Sequence, residues 1–444
     1  MNTSVKQQIS ILLTDSDPNA RRSAAEGLTG ERDSAANAAL VLALEDESKG
    51  VQDAAMHALI EIGDKDVART VTGLIVNDDI AMRNLAAKVL ITIGVQAIQY
   101  LIPYLSDKNK DTRKFAVDIL GRIGTEESLP QLLPLLKDSD PNVRHATIEA
   151  LGLIGSEKAT SALCDAFLLD SSARGCTADA LGKIGDTRAL GFLTNSLSAG
   201  LKDTADDPLT LSALIEALGK IGNLETLDEL RRHVGDVEGE LRLMLLDSIV
   251  RVAERHGEPL RFDNSLCADL IKGLESDDEN IRMSCAKGLS IFRGASITRP
   301  LIKAMKGEGA LEKYLAGHLI TRPETFTLCV ESLDEPDCSN RKQIIQLLGR
   351  IAWNCVNMFN LNMEAFVNSA LIQRAFEAVR RYWETSDEET REAIIDTLFI
   401  LDGRQAASAI REFVSDPDLC LLPRIIDQLS KTENRGSSNA RINS

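Results

Sequence analysis

The residues of this chain that could do chemistry are few and dispersed. Its five histidines are His57, His145, His233, His256 and His318. His57 and His145 lie on second helices with no neighbouring Cys, and a metal site is not expected. The eight cysteines are Cys164, Cys176, Cys267, Cys285, Cys329, Cys338, Cys355 and Cys420, and no CxxC pair occurs among them. Several fall on apolar faces, where a thiol acts as a small hydrophobe, so they are expected to be reduced core residues. HExxH, GxxxxGK[ST], GxSxG and GxGxxG are all absent. No cofactor is therefore expected. What remains is charge, and its use depends on the elements that carry it.

The formal net charge is −17 over 444 residues. Phosphate recognition runs on Lys and Arg, so nucleic acid and anionic membranes are poor partners for this chain. No run of about 18 apolar residues appears, so no membrane span is expected. The N-terminus has no apolar run long enough for a secretion signal, and a cytoplasmic location is expected. Aromatic residues make up only 4%. Ala and Leu supply the apolar share instead, which suits helix–helix packing.

An internal repeat organises the chain. With Arg144 as a reference, matching segments place the same position at Arg21, Gln52, Arg83, Arg113, Arg174, Leu211, Arg242, Arg282, Glu312, Arg341 and Arg391. The early spacings are 31, 31, 30, 31 and 30 residues. Seven residues on stands Leu in every segment but one, where Ile249 takes its place. Four residues before stands a capping residue: Asp17, Ser48, Asp79, Asn109, Asp140, Asp170, Asp207, Glu238, Asp278, Glu308, Asp337 and Asp387. Pro18, Pro141 and Pro208 follow their caps at the first helical position, where the missing N–H costs nothing. Eleven residues after the reference come Gly63, Gly94, Gly124, Gly155, Gly185 and Gly222, each predicted to end a helix in the left-handed region. A second helix completes each repeat, as in Leu129, Leu132, Leu133 and Leu136 at i, i+3, i+4, i+7. Pro103, Pro130 and Pro134 are expected to bend or delay it. Such pairs bury their faces by stacking, and a dozen layers would extend on the order of 110 Å.

The pattern Asp-Pro-x-Val-Arg-x-x-Ala-x-x-Ala-Leu-Gly-x-Ile-Gly over residues 140–155 resembles the HEAT repeat, and within it the short bacterial phycobilisome-lyase-like variety. The likeness runs from about residue 5 to 430, strongest up to 222. It implies an all-α, right-handed α-α superhelix of about 12 helix pairs, and mostly a binding surface rather than fixed chemistry. It also implies that the second helices line the concave side. Deoxyhypusine hydroxylases of this architecture hold iron with His-Glu dipeptides. The histidines here are followed by Ala, Ala, Val, Gly and Leu, so that activity is not expected. DNA glycosylases of related fold use a basic face, which the net charge opposes. Bilin lyase subunits share the repeat type, but no residue marks a bilin site.

On the second helix, positions +3, +7 and +10 face the core and +1 and +5 face away. Row +5 holds five consecutive acids, Asp118, Glu149, Asp179, Glu216 and Asp247, a candidate groove for a basic partner segment. The competing reading is ordinary: Arg122, Lys183, Lys220 and Arg251 each lie four residues after an acid and could pair with it. Glu149 has no such base. The reference arginines read as an inter-repeat polar ladder. Row +8 has Gly121, Gly152, Gly182 and Gly219, read as close backbone packing or as room for a ligand.

The repeat is stretched at 198–207, at 255–264 and after residue 350. Residues 351–444 hold eight of the chain's aromatics, including both Trp. They read as a C-terminal cap or as a partner or dimer surface, with Trp353, Phe359 and Trp383 as candidates. The expected organisation is regular repeats over 1–222, looser repeats over 223–350, an aromatic-rich cap over 351–430 and a disordered tail over 431–444. The function expected is a non-enzymatic protein–protein scaffold or adaptor in bacterial signalling or complex assembly. The alternative is a bilin-lyase-type enzyme or accessory that binds a small molecule on the concave face. A self-assembling spacer is a third reading.

Overall fold

The computed structural model describes residues 3–202, 207–260, 262–336, 338–357 and 368–413. Among these residues there is no strand, and the helices form an all-α solenoid of twelve pairs. The pairs are α1 (Thr3–Thr14) with α2 (Pro18–Gly27), α3 (Ser34–Ala43) with α4 (Lys49–Ile62), α5 (Lys65–Thr72) with α6 (Ile80–Ile93) and α7 (Val95–Leu101) with α8 (Lys110–Ile123). Next come α9 (Leu129–Leu132) with α10 (Pro141–Ile154), α11 (Thr160–Leu169) with α12 (Arg174–Ile184), α13 (Leu190–Gly200) with α14 (Pro208–Ile221) and α15 (Leu224–Arg232) with α16 (Gly239–His256). The last four are α17 (Cys267–Gly273) with α18 (Glu279–Ser290), α19 (Ala295–Lys303) with α20 (Ala310–Leu319), α21 (Thr325–Asp334) with α22 (Arg341–Asn357) and α23 (Ser369–Arg380) with α24 (Glu388–Phe413), which is broken at Asp402. The chain divides into two compact units, residues 1–257 and 258–444. Unit 1 holds eight pairs and unit 2 holds four.

The repeat positions become the core. Every Leu of row +7, from Leu28 to Leu398, is fully enclosed, and so is Ile249. Row +3 is equally buried, from Ala24 through Thr147 and Leu214 to Ile394. Pro103 and Pro134 act as expected. The first helices they interrupt tighten into 3-10 turns at Ile102–Ser106 and Leu133–Lys137.

The helix starts are built from paired short-range bonds. In unit 1 the residue six before the reference accepts from the amide of the cap, as Asp46 does from Ser48, Asp107 from Asn109 and Asp138 from Asp140. The cap then accepts from the second residue of the helix, as Asn109 does from Asp111 and Asp140 from Asn142. Three caps differ from the sequence expectation, and one of them, Glu238, makes no side-chain bond to its helix. Ser48 caps nothing with its side chain. The cap of α20 is Gly309 rather than Glu308, whose carboxylate instead meets Lys342 at 2.5 Å. Asp337 lies outside the described residues.

Five of the six helix-ending glycines have φ between 52° and 79°. Gly222 does not: its φ is −58°, and α14 stops there in extended backbone. Gly222 serves closeness instead, because a Cβ would sit 2.4 Å from the Leu218 carbonyl oxygen.

The reference arginines form the expected ladder and show what it does. Five of them staple their own interhelix loop: Nη1 donates to the carbonyls six and five residues before it in Arg21, Arg83, Arg113, Arg144 and Arg282. Gln52 makes the same bond to Asp46 O. Three of these arginines also reach the next pair. Arg21 pairs with Asp46 at 2.7 Å, Arg113 with Asp138 at 2.7 Å and Arg144 with Asp170 at 2.7 Å. The Arg21 and Arg113 guanidinium groups hold the Asp46 and Asp138 carboxyls below the usual range.

Candidate functional site

The second helices approach one another through row +8. A Cβ on Gly121 would lie 2.5 Å from Ala150 Cβ, and one on Gly182 would lie 3.0 Å from Ala217 Cα. Gly152 faces Ala180 and Gly219 faces Ser248 in the same way. Each glycine therefore receives the small residue at +6 of the next second helix, which resolves row +8 as close packing. The hydroxyl of Ser248 then donates to Ile215 O at 2.9 Å. Unit 2 repeats the device at α22 and α24, where Gly349 faces Thr397 and Thr397 donates to Ile345 O at 3.0 Å.

This spacing sets row +5 side by side, and most of its charges are internally paired. Asp118 takes Lys114 at 2.7 Å, four residues before it, rather than Arg122. Asp179 takes Lys183 at 2.7 Å, and Lys220 lies 3.5 Å away from the neighbouring helix. Glu216 takes Lys220 at 2.9 Å, and Asp247 takes Arg251 at 2.7 Å. The Lys183 ammonium is held above its usual value by the Asp179 hydrogen bond, against burial, with Glu149 and Glu216 adding to the field. Burial pushes the Asp179 carboxyl up, but Lys183 and Lys220 outweigh it and leave it below the usual range. Asp247 is only 5% exposed, so it belongs to the packed layer and not to the surface on which the sequence placed it. Among the described residues, Glu149 has no ion pair, as its sequence neighbours implied.

A groove of about 480 Å³ crosses α6, α8 and α10 on this face. The +5 residues Lys88, Asp118 and Glu149 stand along it, with Ile91, Phe115 and Leu153 as its apolar lining. Leu153 is 51% exposed. It occupies the +9 position that holds a base in α8, α12, α14 and α16.

The C-terminal candidates separate. Trp353 is 51% exposed on α22, beside a cavity of about 370 Å³ shared with α24. Trp383 is buried beneath the Arg391 guanidinium, 5.4 Å from its ring centroid, so it is a core residue rather than a contact residue. Its neighbour Tyr382 is covered by Arg341 in the same way. Phe359 and the expected tail over 431–444 lie outside the described residues.

One constellation had no signal in the sequence. Ser198 Oγ lies 2.9 Å from His233 Nε2, and His233 Nδ1 lies 2.7 Å from Asp236 Oδ2. An imidazole between a hydroxyl and a carboxylate can activate a nucleophile. Here Ser198 sits within α13, whose amides are spent in helical bonds rather than offered to an oxyanion. The Asp236 side chain is 56% exposed, and Glu229 Oε1 approaches the same Nε2 at 3.5 Å. The arrangement ties α13 to the turn after α15. No group of three or more metal-ligating side chains occurs among the described residues. Nor is any described helix long and apolar enough to cross a membrane.

Against known families, residues 5–91 and 98–175 match the model of HEAT repeats. Those two stretches, less than half of the chain, are similar to HEAT repeats. Solved structures that the chain matches include Kap121p bound to RanGTP, at 12% identity and TM-score 0.46 over 96% of this chain and 56% of that one. Kap95 in its complex with Nup1 matches at 13% identity and TM-score 0.48, covering 92% of this chain and 67% of that one. Human deoxyhypusine hydroxylase matches at 19% identity and TM-score 0.28, covering 64% of this chain and 99% of that one. The match thus spans little more than half of Kap121p. No curated protein matches the chain. The phycobilisome-lyase-like subtype of HEAT repeat finds no support in these matches.

Proposed function

We propose that this chain is a protein-interaction scaffold or adaptor, and that the second-helix face of unit 1 receives a segment of its partner. The observation that carries this reading is the groove over α6, α8 and α10. Three successive repeats present the same register positions to it, and half-exposed Leu153 stands among charged neighbours. A surface read out repeat by repeat suits an extended chain segment. Apolar anchors ringed by charge are the usual composition of such contacts. Because Asp118, Asp179, Glu216 and Asp247 carry their own cations, the affinity is expected to rest on Leu153 and Phe115, with Glu149 orienting the partner.

The test uses wild type and Leu153→Asp as baits in host lysate, with circular dichroism to verify the fold. A photo-crosslinking residue at position 153 identifies what touches it. A protein that is retained by wild type, lost by the folded variant and crosslinked at 153 supports the groove. Equal retention by both baits removes it. Modest salt dependence is expected, and a steep one would restore the acidic row as the main determinant.

A further inference from the structure

A second cavity, of about 540 Å³, opens in unit 2 on the side of the first helices. It lies between α17, α19 and α21, with residues 338–340 closing one end. Its floor is apolar, formed by Leu274, Pro300 and Ala304. One polar group is out of place there. Ser332 is only 3% exposed, lines the cavity, and its Oγ has no hydrogen-bond partner. The Oγ itself is closed off from the cavity, so the cavity's polar character comes from its rim.

The charges around the opening sort into spent and unspent. Glu335 takes Arg299 at 3.1 Å and Lys303 at 3.4 Å, and Arg299 also takes Glu331 at 2.6 Å. That quartet neutralises itself. Two lining groups are left without an ion pair among the described residues: the Lys306 ammonium and the Glu275 carboxylate, which come from different helix ends. Lys306 stands six residues before the reference position, where unit 1 carries Asp46 and Asp138. The loop therefore presents a cation where unit 1 presents an acid that receives an arginine.

We propose that this cavity binds a small zwitterion with an apolar body, of which an apolar α-amino acid is the simplest. Its carboxylate meets Lys306, its ammonium meets Glu275, and its side chain covers Leu274, Pro300 and Ala304. The volume falls within the usual range for small-molecule sites.

The experiment is calorimetric titration of the full chain with L-leucine, L-valine, L-phenylalanine and L-methionine, and with N-acetyl-L-leucine and L-leucinamide. The two blocked forms stand in for the last and first residues of a peptide. Saturable binding of at least one free amino acid is expected, with roughly tenfold weaker binding once either charge is blocked. Lys306→Glu and Glu275→Lys, both on the exposed rim, should each weaken binding similarly, and the double exchange should recover part of it. Ser332→Ala, at a hydroxyl closed off from the cavity, should leave the affinity unchanged. Equal binding of N-acetyl-L-leucine or L-leucinamide would overturn the zwitterion in favour of a peptide terminus. The proposal also fails if no free amino acid binds, or if the rim variants bind as wild type does.

Discussion

The two units use one repeat pattern but join their layers differently. In unit 1 two kinds of lock join the layers, and both act between α8 and α10 and between α10 and α12. Glycine meets a small residue between second helices from α8 to α16, and Arg–Asp rungs link the loops at Arg21, Arg113 and Arg144. Among the described residues of unit 2 no such rung occurs. Arg282 staples its own loop but faces a repeat that carries Lys306 in the acid's place. Layers there are linked by varied contacts instead: Lys342 between Glu308 and Glu389, Arg374 with Asp334, and a buried Arg322. Arg322 Nη1 donates to Thr298 Oγ1, and its Nη2 meets the carbonyls of Leu289 and Ser290. A uniform joint leaves a uniform groove, whereas varied joints leave cavities of individual character.

The largest expected effect breaks a rung. Arg113→Ala removes two charge-assisted bonds to a mostly buried carboxylate and should cost about 2–3 kcal/mol, read as faster amide exchange in α8 and α10. Arg282→Ala loses only loop bonds and should cost clearly less. Equal losses would mean that the rungs add nothing to unit 1.

The glycine contacts give a difference of sign. Gly121→Ala should destabilise by roughly 1–3 kcal/mol despite alanine's better helix propensity, since its Cβ would meet the α10 backbone at 2.7 Å. Gly317→Ala, on an exposed face of α20 with open space around it, should stabilise by about 0.5–1 kcal/mol. Chemical denaturation of both variants checks the pair, and a loss at Gly317 would contradict the packing described for unit 2.

Acidity should separate the units more gently. Burial first, and Arg322 second, hold the His318 imidazole pKa below its usual value. Arg293 adds to this, while the Ser290 carbonyl opposes it. Tyr314 stacks on the ring, and Arg322 itself is flanked by Glu324. A folded value below the unfolded one means that the unfolded chain takes the proton first. Stability in unit 2 therefore declines as pH falls below about 6.5 and is fully lowered beneath the folded value. The Asp46 and Asp138 carboxyls have folded values below their unfolded ones, so their contribution is full above about pH 4 and is lost only on further acidification. Exchange in α18 and α20 should quicken near pH 6 while α8 and α10 stay protected, and His318→Gln should flatten the response. Simultaneous loosening of both units would remove the distinction.

Much of the architecture was legible because it depends on local rules at fixed spacing. Caps, the Leu row, the proline breaks and the arginine ladder each follow from residue type within one repeat. What failed depended on neighbours. Gly222 has the residue type of Gly185 but ends its helix in extended backbone against Val252 and Thr226. Asp247 shares its helical face with Asp118 yet is enclosed. Trp383 looked like a contact residue until Arg391 was seen to cover it. The Ser198–His233 contact joins residues 35 apart on different helices, and no spacing rule announces it. The candidate groove was half legible. Row +5 is where the sequence put it, but Lys114 as the partner of Asp118 and Leu153 as the exposed anchor emerge only from packing.

The glycine-to-small-residue contacts also bear on elasticity. Between α8 and α16 the second helices touch backbone to backbone, so that edge of unit 1 can be neither shortened nor, without losing contact, lengthened. The opposite edge is made of short first helices, two of them ending in 3-10 turns at Pro103 and Pro134. Bending of unit 1 must therefore take place around the second-helix edge as a neutral line, with first-helix spacing absorbing the strain. The part of the groove over α8 and α10 lies along that line and keeps its pitch while the rest of the unit flexes.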